Sequence, residues 1–331
     1  MTTLIVIIIV SIGLAAMYYS AKYIPEKSWK GNLPPLSDSE KMLMKGLEEH
    51  IFVLAEDIGE RHVWKYRKLV ETADYIERVF GKTGFEVKTQ EYLVEDKRVK
   101  NLEVEIGGVS ASEEIIVIGA HYDTVEDCPG ANDNASGIAA LLEMACLMSG
   151  SRPSRTLRFV AFVNEEPPFF QTTGMGSVVY ARQARVKGEK IVAMFALETI
   201  GCYSDKEGSQ SFPSPLLRFF YPTTGNFIAF VTNFRSRRLL RQSLTSFRRH
   251  VSFPSQGLAG PGGLPGIDWS DHWSFWEEDY PAIMITDTAP YRYPYYHTPR
   301  DTPDKIQFEK MTRVVAGLSR MVEDLAGIRP D

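Results

Sequence analysis

The chain has 331 residues, of which 44% are hydrophobic and 24% are charged, and its formal net charge is -5. These values are typical of a folded globular protein and, without a long basic segment, they argue against a nucleic-acid-binding protein. The three cysteines (Cys128, Cys146 and Cys202) are too few and too widely spaced to indicate a disulfide framework or a cysteine-based zinc site.

The first twenty residues predict a membrane segment. Residues 4–19 (LIVIIIVSIGLAAMYY) carry no charge, and their length approaches the roughly 17–25 residues of a spanning helix. A cleaved signal peptide and a buried soluble helix are the alternatives. The lysines that follow, Lys22, Lys27 and Lys30, favour a cytoplasmic location for the remainder of the chain. Residues 21–36 are polar and contain prolines, which predicts a linker.

Beyond the linker, helical and strand patterns alternate. Ser37 or Asp38 can cap the first helix. The patterns predict helices over 38–57, 66–82, 137–149, 175–186 and 305–326, and strands over 85–94, 101–108, 113–120, 156–163, 190–197 and 282–288. This order predicts an α/β fold, with a mostly parallel central sheet covered by helices on both faces.

Residues 203–266 interrupt the alternation. They are rich in proline, glycine, serine and aromatic residues, and they include the basic stretch RSRRLLRQ. We interpret this segment as an insertion near the open end of the sheet, helical over 235–250. Residues 37–331 are therefore predicted to form a single domain that contains this insertion.

Charged side chains stand where the predicted strands end. His121, Glu166 and Glu198 each follow a strand, Asp133 lies in the loop before a helix, and His297 comes after the last strand. In open α/β sheets, ligands bind beyond the carboxyl ends of the strands. We therefore expect these five side chains to meet at one edge of the sheet.

Imidazole nitrogens and carboxylate oxygens are donors that suit zinc. Asp133, Glu166 and Glu198 bring three negative charges, which two divalent cations and one hydroxide would neutralise. Without a metal, carboxylates this close could not all remain ionised. The pattern predicts a site for two metal ions about 3.5–4 Å apart, which can activate water and polarise a carbonyl together.

Taken singly, these residues have ordinary explanations. His121-x-Asp123 is a common pattern, Glu165-Glu166 fits a solvated turn, and the run 130–137 fits a helix cap. Their joint position at strand ends favours the metal site. A metal-bound histidine usually donates its other N–H to a carboxylate, so Asp123 is predicted to accept that hydrogen bond. Glu165, adjacent to Glu166, is predicted to transfer a proton.

Six segments carry a resemblance to a known family: GAHYDTV, PGANDNASGIAALLE, RFVAFVNEE, LETIG, SDHWSFW and YHTPRDTPDKI. In this order they resemble the co-catalytic zinc aminopeptidases, a family that also contains glutaminyl cyclases and transferrin-receptor-like proteins. The resemblance covers roughly residues 60–325. It implies a zinc-aminopeptidase (phosphorylase-like) α/β/α sandwich, two zinc ions per chain, and a peptide or small amide substrate. It also implies an extracytoplasmic catalytic domain, against the lysine signal.

The resemblance also implies roles for individual residues. His121, Glu166 and His297 match zinc ligands, Asp133 matches the bridging ligand, and Glu165 matches the general base. Glu198 stands where many members have aspartate; it keeps the charge, and we count it as a ligand.

Further features follow from the same resemblance. Tyr296 matches a tyrosine that stabilises the oxyanion in some members. A cis peptide is implied between Asp133 and Asn134. Asp271 and His272 match a motif whose role is either structural or to support the ligands. Separately, the aromatic residues Phe169, Phe170 and the tyrosines in 291–296 could line an apolar substrate pocket or belong to the core.

The predicted function is a zinc-dependent aminopeptidase that hydrolyses N-terminal peptide bonds, through a hydroxide bridging two zinc ions, with Glu165 as general base. One alternative is a glutaminyl cyclase-like or other amide reaction in the same pocket. Cyclases of the family use one zinc and would not need His121, whose presence favours hydrolysis. The other alternative is a non-catalytic, receptor-like binding protein; such members tend to lose ligands, and this sequence keeps a full set.

Overall fold

The structure, a computed structural model, describes residues 26–328. The strands are β1 (Lys88–Val94), β2 (Lys97–Ile106), β3 (Ala111–His121), β4 (Arg155–Phe162), β5 (Lys190–Glu198), β6 (Ile228–Asn233), β7 (Ser255–Gly260) and β8 (Ala282–Thr286). The helices are α1 (Asp38–Phe52), α2 (Tyr66–Lys82), α3 (Ser136–Met148), α4 (Gly176–Val186), α5 (Arg237–His250), α6 (His272–Glu277) and α7 (Phe308–Ala326).

The predicted membrane segment, residues 1–20, lies outside the described residues. Within residues 26–328, no helix combines the length and the apolar character needed to cross a bilayer.

Helix α1 begins where the sequence predicts. The Ser37 hydroxyl accepts a hydrogen bond from the backbone N–H of Glu40, and the Glu40 carboxylate accepts one from the backbone N–H of Ser37. This reciprocal capping box satisfies two N–H groups that the helix itself leaves free. A π-helical turn, Val53–Ile58, then extends α1 to the predicted end near residue 57.

The eight strands form one mixed sheet in the order β1-β2-β4-β3-β5-β8-β6-β7. Strands β4, β3, β5 and β8 are parallel, β6 and β7 are parallel to each other, and the remaining pairs are antiparallel. This sheet confirms the predicted α/β class. Because the four central strands run in one direction, their carboxyl ends share one edge, called here the carboxyl edge.

The segment 203–266, predicted as an insertion near the open end of the sheet, contains two strands that the sequence patterns did not indicate. It supplies β6 and β7, which extend the sheet beyond β8, and α5 lies between them, within the predicted helical stretch. The apolar run of β6 is short, and its flanks are rich in proline, glycine and arginine. Because of that composition, the sequence pattern does not indicate a strand here, although Ile228 and Phe230 of β6 are fully buried.

Helices cover both faces of the sheet, as predicted. Ile116 and Ile118 of β3 belong to the large core that includes apolar residues of α3 and α7. Their neighbours Ile115 and Val117 belong to a second core, with residues of α4 and α6. Burial on both faces explains why β3 is a continuous apolar run rather than an alternating one.

One buried arginine ties the segment after α1 to the loop after β3. Arg61 has no exposed surface, and burial lowers the pKa of its guanidinium to about 10, so it stays charged at neutral pH. Its side chain donates hydrogen bonds to five backbone carbonyls, those of Leu54, Gly59, Tyr122, Pro129 and Gly130. The loop that carries Asp133 is thereby held against the first helix.

We expect Arg61→Met to lower the free energy of unfolding by at least about 3 kcal/mol, because it leaves several buried carbonyls without a donor. Urea denaturation measures the change. Arg67, exposed on α2, provides the control: Arg67→Met should stay within about 0.5 kcal/mol of the parent chain. Similar losses in the two variants would show that Arg61 does not brace this region.

Candidate metal centre

Four acidic or imidazole side chains reach the carboxyl edge from neighbouring strands. His121 is the last residue of β3, and Glu198 is the last residue of β5. Glu165 and Glu166 follow β4, after a turn in which Asn164 has a φ of 59°, a conformation that asparagine tolerates better than most residues. All four side chains are buried.

Asp133 comes from the loop between β3 and α3, which other residues hold in place. The Asp133–Asn134 peptide bond is cis, as the family resemblance implies. The Asp301 carboxylate accepts hydrogen bonds from the backbone N–H groups of Asn132 (2.9 Å) and Asp133 (3.0 Å). The Asn134 side chain donates to the carbonyl of Leu197 at 2.8 Å, which joins the loop to the end of β5.

Asp133 lies between two histidines. Its Oδ1 is 3.3 Å from Nε2 of His121, and its Oδ2 is 3.0 Å from Nε2 of His297. Nε2 of His121 is also 3.3 Å from Oε2 of Glu198, and Nε2 of His297 is 3.4 Å from Oε2 of Glu166. Two groups of three residues therefore share Asp133, and in each group the donor atoms lie within 4.8 Å of one another.

Several of these donor atoms have no hydrogen-bond partner. Nε2 of His121, Oδ1 of Asp133 and Oε1 of Glu166 are buried without one. Buried polar atoms in folded proteins are otherwise nearly always hydrogen-bonded. A closed set of imidazole and carboxylate donors fits zinc, which would satisfy these atoms.

The negative charge of the cluster alters its own titration. Burial, together with the nearby Asp133 carboxylate, raises the pKa of Glu166 to about 7. Burial also raises the pKa of Glu165 well above its ordinary value, although His121 opposes the shift. Burial alone would lower the pKa of His297, but its contacts with Asp133 and Glu166 raise it to about 10. Without a cation the cluster retains protons, which a bound divalent cation would displace.

Asp123 supports the turn after β4 more directly than it supports His121. Its two carboxylate oxygens accept the backbone N–H groups of Glu165 and Glu166, each at 3.1 Å. The predicted contact with His121 is longer, at 3.6 Å from Oδ1 to Nδ1. Asp123 thus sets the direction in which both glutamates leave the strand.

The SDHWSFW stretch contributes a contact that sequence reasoning missed. The Ser270 hydroxyl donates to Oε2 of Glu198 at 2.8 Å; nothing in the spacing of a single serine signals this bond. Its neighbour Asp271 is buried, and burial raises the pKa of that carboxyl to about 7. His272 donates to the carbonyl of Ile267 at 2.8 Å.

A cavity that is partly open to solvent extends from Glu198 and Tyr296. The Tyr296 ring stacks on the His297 imidazole, with ring centroids 3.8 Å apart. Among the described residues that line the cavity, only Glu198 is charged. Apolar walls come from β6, β7, β8 and nearby loops, through Phe227, Ala229, Val231, Leu258, Ile267 and Met284.

The aromatic residues proposed for an apolar pocket divide between two locations. Tyr291 and Tyr296 line the cavity. Phe169 instead stacks on Trp64, with ring centroids 5.7 Å apart.

Comparison with known proteins places these observations in a family. The profile of Peptidase family M28 matches residues 101–322, more than half of the chain. The chain is 38% identical to the uncharacterized protein YfbL of Escherichia coli (strain K12), over 82% of this chain and 85% of that protein. It is 26% identical to the aminopeptidase YwaD of Bacillus subtilis (strain 168), over 69% of this chain and 43% of that protein.

Solved structures share the fold. An aminopeptidase from Aneurinibacillus sp. strain AM-1 has a TM-score of 0.65 at 19% identity, covering 87% of this chain and 94% of that chain. A glutaminyl cyclase from Tannerella forsythia has a TM-score of 0.62 at 18% identity, covering 90% of this chain and 100% of that chain. At these identities the likeness establishes the α/β fold.

A side chain at Gly137 is expected to disturb the loop of Asp133. A Cβ there would lie 2.4 Å from Oδ1 of Asn134 and 2.4 Å from the carbonyl oxygen of Leu197, so it would displace the contact between them. We expect Gly137→Ala to lower the free energy of unfolding by about 1–3 kcal/mol and to weaken zinc binding. Urea denaturation and competition with a chelator measure the two effects.

Gly262→Ala is the matched control, since a Cβ at that position would meet no atom within 4 Å. Both properties should be unchanged in this variant. If Gly137→Ala behaved like the control, the close packing of the loop against β5 would not matter for the site.

Proposed function

The chain is a metallopeptidase of family M28, and on that basis we propose that it is a zinc aminopeptidase, which hydrolyses the N-terminal peptide bond of its substrate. The main support for this proposal is the position of Asp133. Its two oxygens lie 3.3 Å and 3.0 Å from the donor nitrogens of two different histidines.

We assign one zinc ion to His121, Asp133 and Glu198, and a second to Asp133, Glu166 and His297. The shared Asp133 carboxylate suits a bridging ligand, since each oxygen faces its own group. The Ser270 hydrogen bond supports Glu198 as a ligand, because it fixes Oε2 of this longer side chain beside Nε2 of His121. Bound zinc would supply a Lewis acid that polarises the scissile carbonyl and acidifies water.

Glu165 is proposed as the general base. It lies outside the two groups that share Asp133, but its Oε2 is only 3.8 Å from Nε2 of His121. The Asp123 carboxylate accepts the backbone N–H of Glu165, and this hydrogen bond orients the Glu165 carboxylate toward the same cleft. Burial raises the pKa of Glu165, so its ionised carboxylate is a stronger base toward a proton of the attacking water, and the acid formed by that transfer can give the proton to the leaving amine.

Tyr296 is proposed to stabilise the oxyanion that develops during attack. Burial raises the pKa of Tyr296, so its hydroxyl stays protonated and can donate a hydrogen bond. The ring stacks on His297, which keeps the tyrosine beside the metal cluster. The adjoining apolar cavity would accept the N-terminal side chain of the substrate.

A glutaminyl cyclase-like reaction is the second candidate, because solved cyclases share this fold. The group of His121, Asp133 and Glu198 favours a second metal ion, and therefore hydrolysis. Parallel assays with aminoacyl-nitroanilides and with glutaminyl peptides distinguish the two reactions by their products.

We further propose that residues 37–331 form one catalytic domain, with the segment 203–266 built into its sheet. Residues 26–36 contain no helix or strand, which agrees with a linker. Residues 1–20 are proposed as a single-pass anchor that leaves the catalytic domain on the extracytoplasmic side of a membrane.

Replacing Glu165 by glutamine removes the proton acceptor while keeping the size of the side chain. We expect kcat/KM for aminoacyl-nitroanilides to fall by about 10²–10⁴, with zinc content unchanged. Glu113→Gln, at an exposed position of β3, is the control and should retain full activity. If the parent chain bound zinc and cleaved no amide, the aminopeptidase proposal would be wrong.

Zinc content tests the assignment of ligands to two ions. We expect about two zinc ions per parent chain, about one in Glu198→Ala or His297→Ala, and close to none in Asp133→Ala. Elemental mass spectrometry after dialysis gives the stoichiometry. Equal zinc content in Glu198→Ala and the parent chain would remove Glu198 from the ligand set.

A further inference from the structure

An exposed apolar segment adjoins the cavity. Leu216 and Phe219, in the short 3-10 helix Pro215–Phe219, are 67% and 69% exposed. Pro213 and Leu217, from the same stretch of chain, line the cavity. Single exposed apolar side chains are ordinary in soluble proteins, but large ones that adjoin an apolar cavity often mark an interaction surface.

The N-terminal part of the described chain reaches the same side of the molecule. Arg248 donates to the backbone carbonyl of Glu26 at 2.6 Å, and Ser28 accepts the backbone N–H of Ser255 at 2.9 Å. Ser255 is the first residue of β7. Strand β7 begins at the carboxyl edge, because β6 and β7 run antiparallel to β8.

The two surfaces meet at the beginning of β7. The Tyr221 hydroxyl donates to the carbonyl of Gly257 at 2.9 Å. Gly257 is two residues from Ser255, a separation of about 7 Å along a strand. The apolar segment and residues 26–28 therefore flank the same strand end.

The composition of this side suits a lipid headgroup layer. Lys27 and Lys30 are exposed, and Trp29 is 39% exposed. Arg249 is also exposed, with its Nε 3.2 Å from Oε1 of Glu26. Basic and aromatic side chains next to apolar ones are typical of the boundary between water and a bilayer. The uncharged residues 4–19 come just before them in the sequence.

We propose that Leu216, Phe219 and Trp29 enter the boundary between headgroups and acyl chains of an anionic bilayer, so that the cavity mouth faces the lipid. This inference rests on the proposed N-terminal anchor and goes beyond the proposed reaction. It points to substrates that lie at a membrane surface, namely amphipathic peptides with an apolar N-terminal residue.

Spin labels at two exposed positions test the proposal. Leu216→Cys and Val186→Cys are each made in the full chain with Cys146→Ser, because Cys146 is exposed whereas Cys128 and Cys202 are buried. Val186 is 89% exposed and ends α4, shortly before β5 begins at Lys190. It therefore lies at the edge of the sheet opposite to the carboxyl edge. The labelled chains are placed in vesicles of equal parts phosphatidylcholine and phosphatidylglycerol. Accessibility to oxygen and to a water-soluble nickel chelate is then measured.

We expect the label at 216 to be severalfold less accessible to the nickel chelate, and more accessible to oxygen, than the label at 186. Equal accessibility at the two positions would overturn the proposal. Low accessibility to both reagents at 216 would also overturn it, by indicating that a second copy of the chain covers the segment.

Flotation of the same vesicles reports on the anchor separately. If the chain floats but the label at 216 is exposed to water, the proposed anchor stands and the proposed lipid-facing cavity fails. If the chain does not float, both proposals fail. Aminopeptidase assays are independent of these readouts. Unfolding temperatures equal to that of the parent chain verify that both labelled variants are folded. A label at Phe219→Cys repeats the accessibility measurement within the same segment.

Discussion

The site depends on the burial of four carboxylates in one cluster. Asp133, Glu165, Glu166 and Glu198 are all at most 7% exposed, so water screens their mutual repulsion poorly. Among the residues that the structure describes, their ion-pair partners are His121 and His297 rather than lysine or arginine. Neutralisation is therefore left to protons or to a divalent cation.

Neutral and anionic groups just outside the cluster hold its backbone against this repulsion. The carboxylates of Asp123 and Asp301 each accept two successive backbone N–H groups. Asp123 thereby positions Glu165 and Glu166, and Asp301 positions Asp133, although neither Asp123 nor Asp301 is itself a proposed metal ligand. At the end of β5, the Asn134 side chain donates to the carbonyl of Leu197 and accepts the backbone N–H of Thr199, and Ser270 donates to Glu198. These hydrogen bonds fix the directions of the donor side chains, which limits the reorganisation that ion binding requires.

Much of this arrangement could be predicted because it follows from local patterns. The periodicity of apolar residues located most helices and strands, and parallel strands necessarily bring their carboxyl ends together. Other contacts could not be predicted. Arg61 pairs with carbonyls as far as 69 residues away, and Asp301 reaches a loop 169 residues away. Strands β6 and β7 were missed because their short apolar runs stand in a segment whose composition resembles a loop.

Two regions of the sheet contribute different parts of the site, the charged residues and the cavity walls. Strands β3, β4 and β5 and the loops after them carry His121, Asp133 and the glutamates, and His297 joins them from the segment after β8. Strands β6, β7 and β8 themselves supply cavity walls such as Val231, Leu258 and Met284. A substitution in the second region can change the shape of the cavity without moving a group in the first. Preference for one substrate over another can therefore diverge among related proteins while the chemistry that cleaves them is inherited intact.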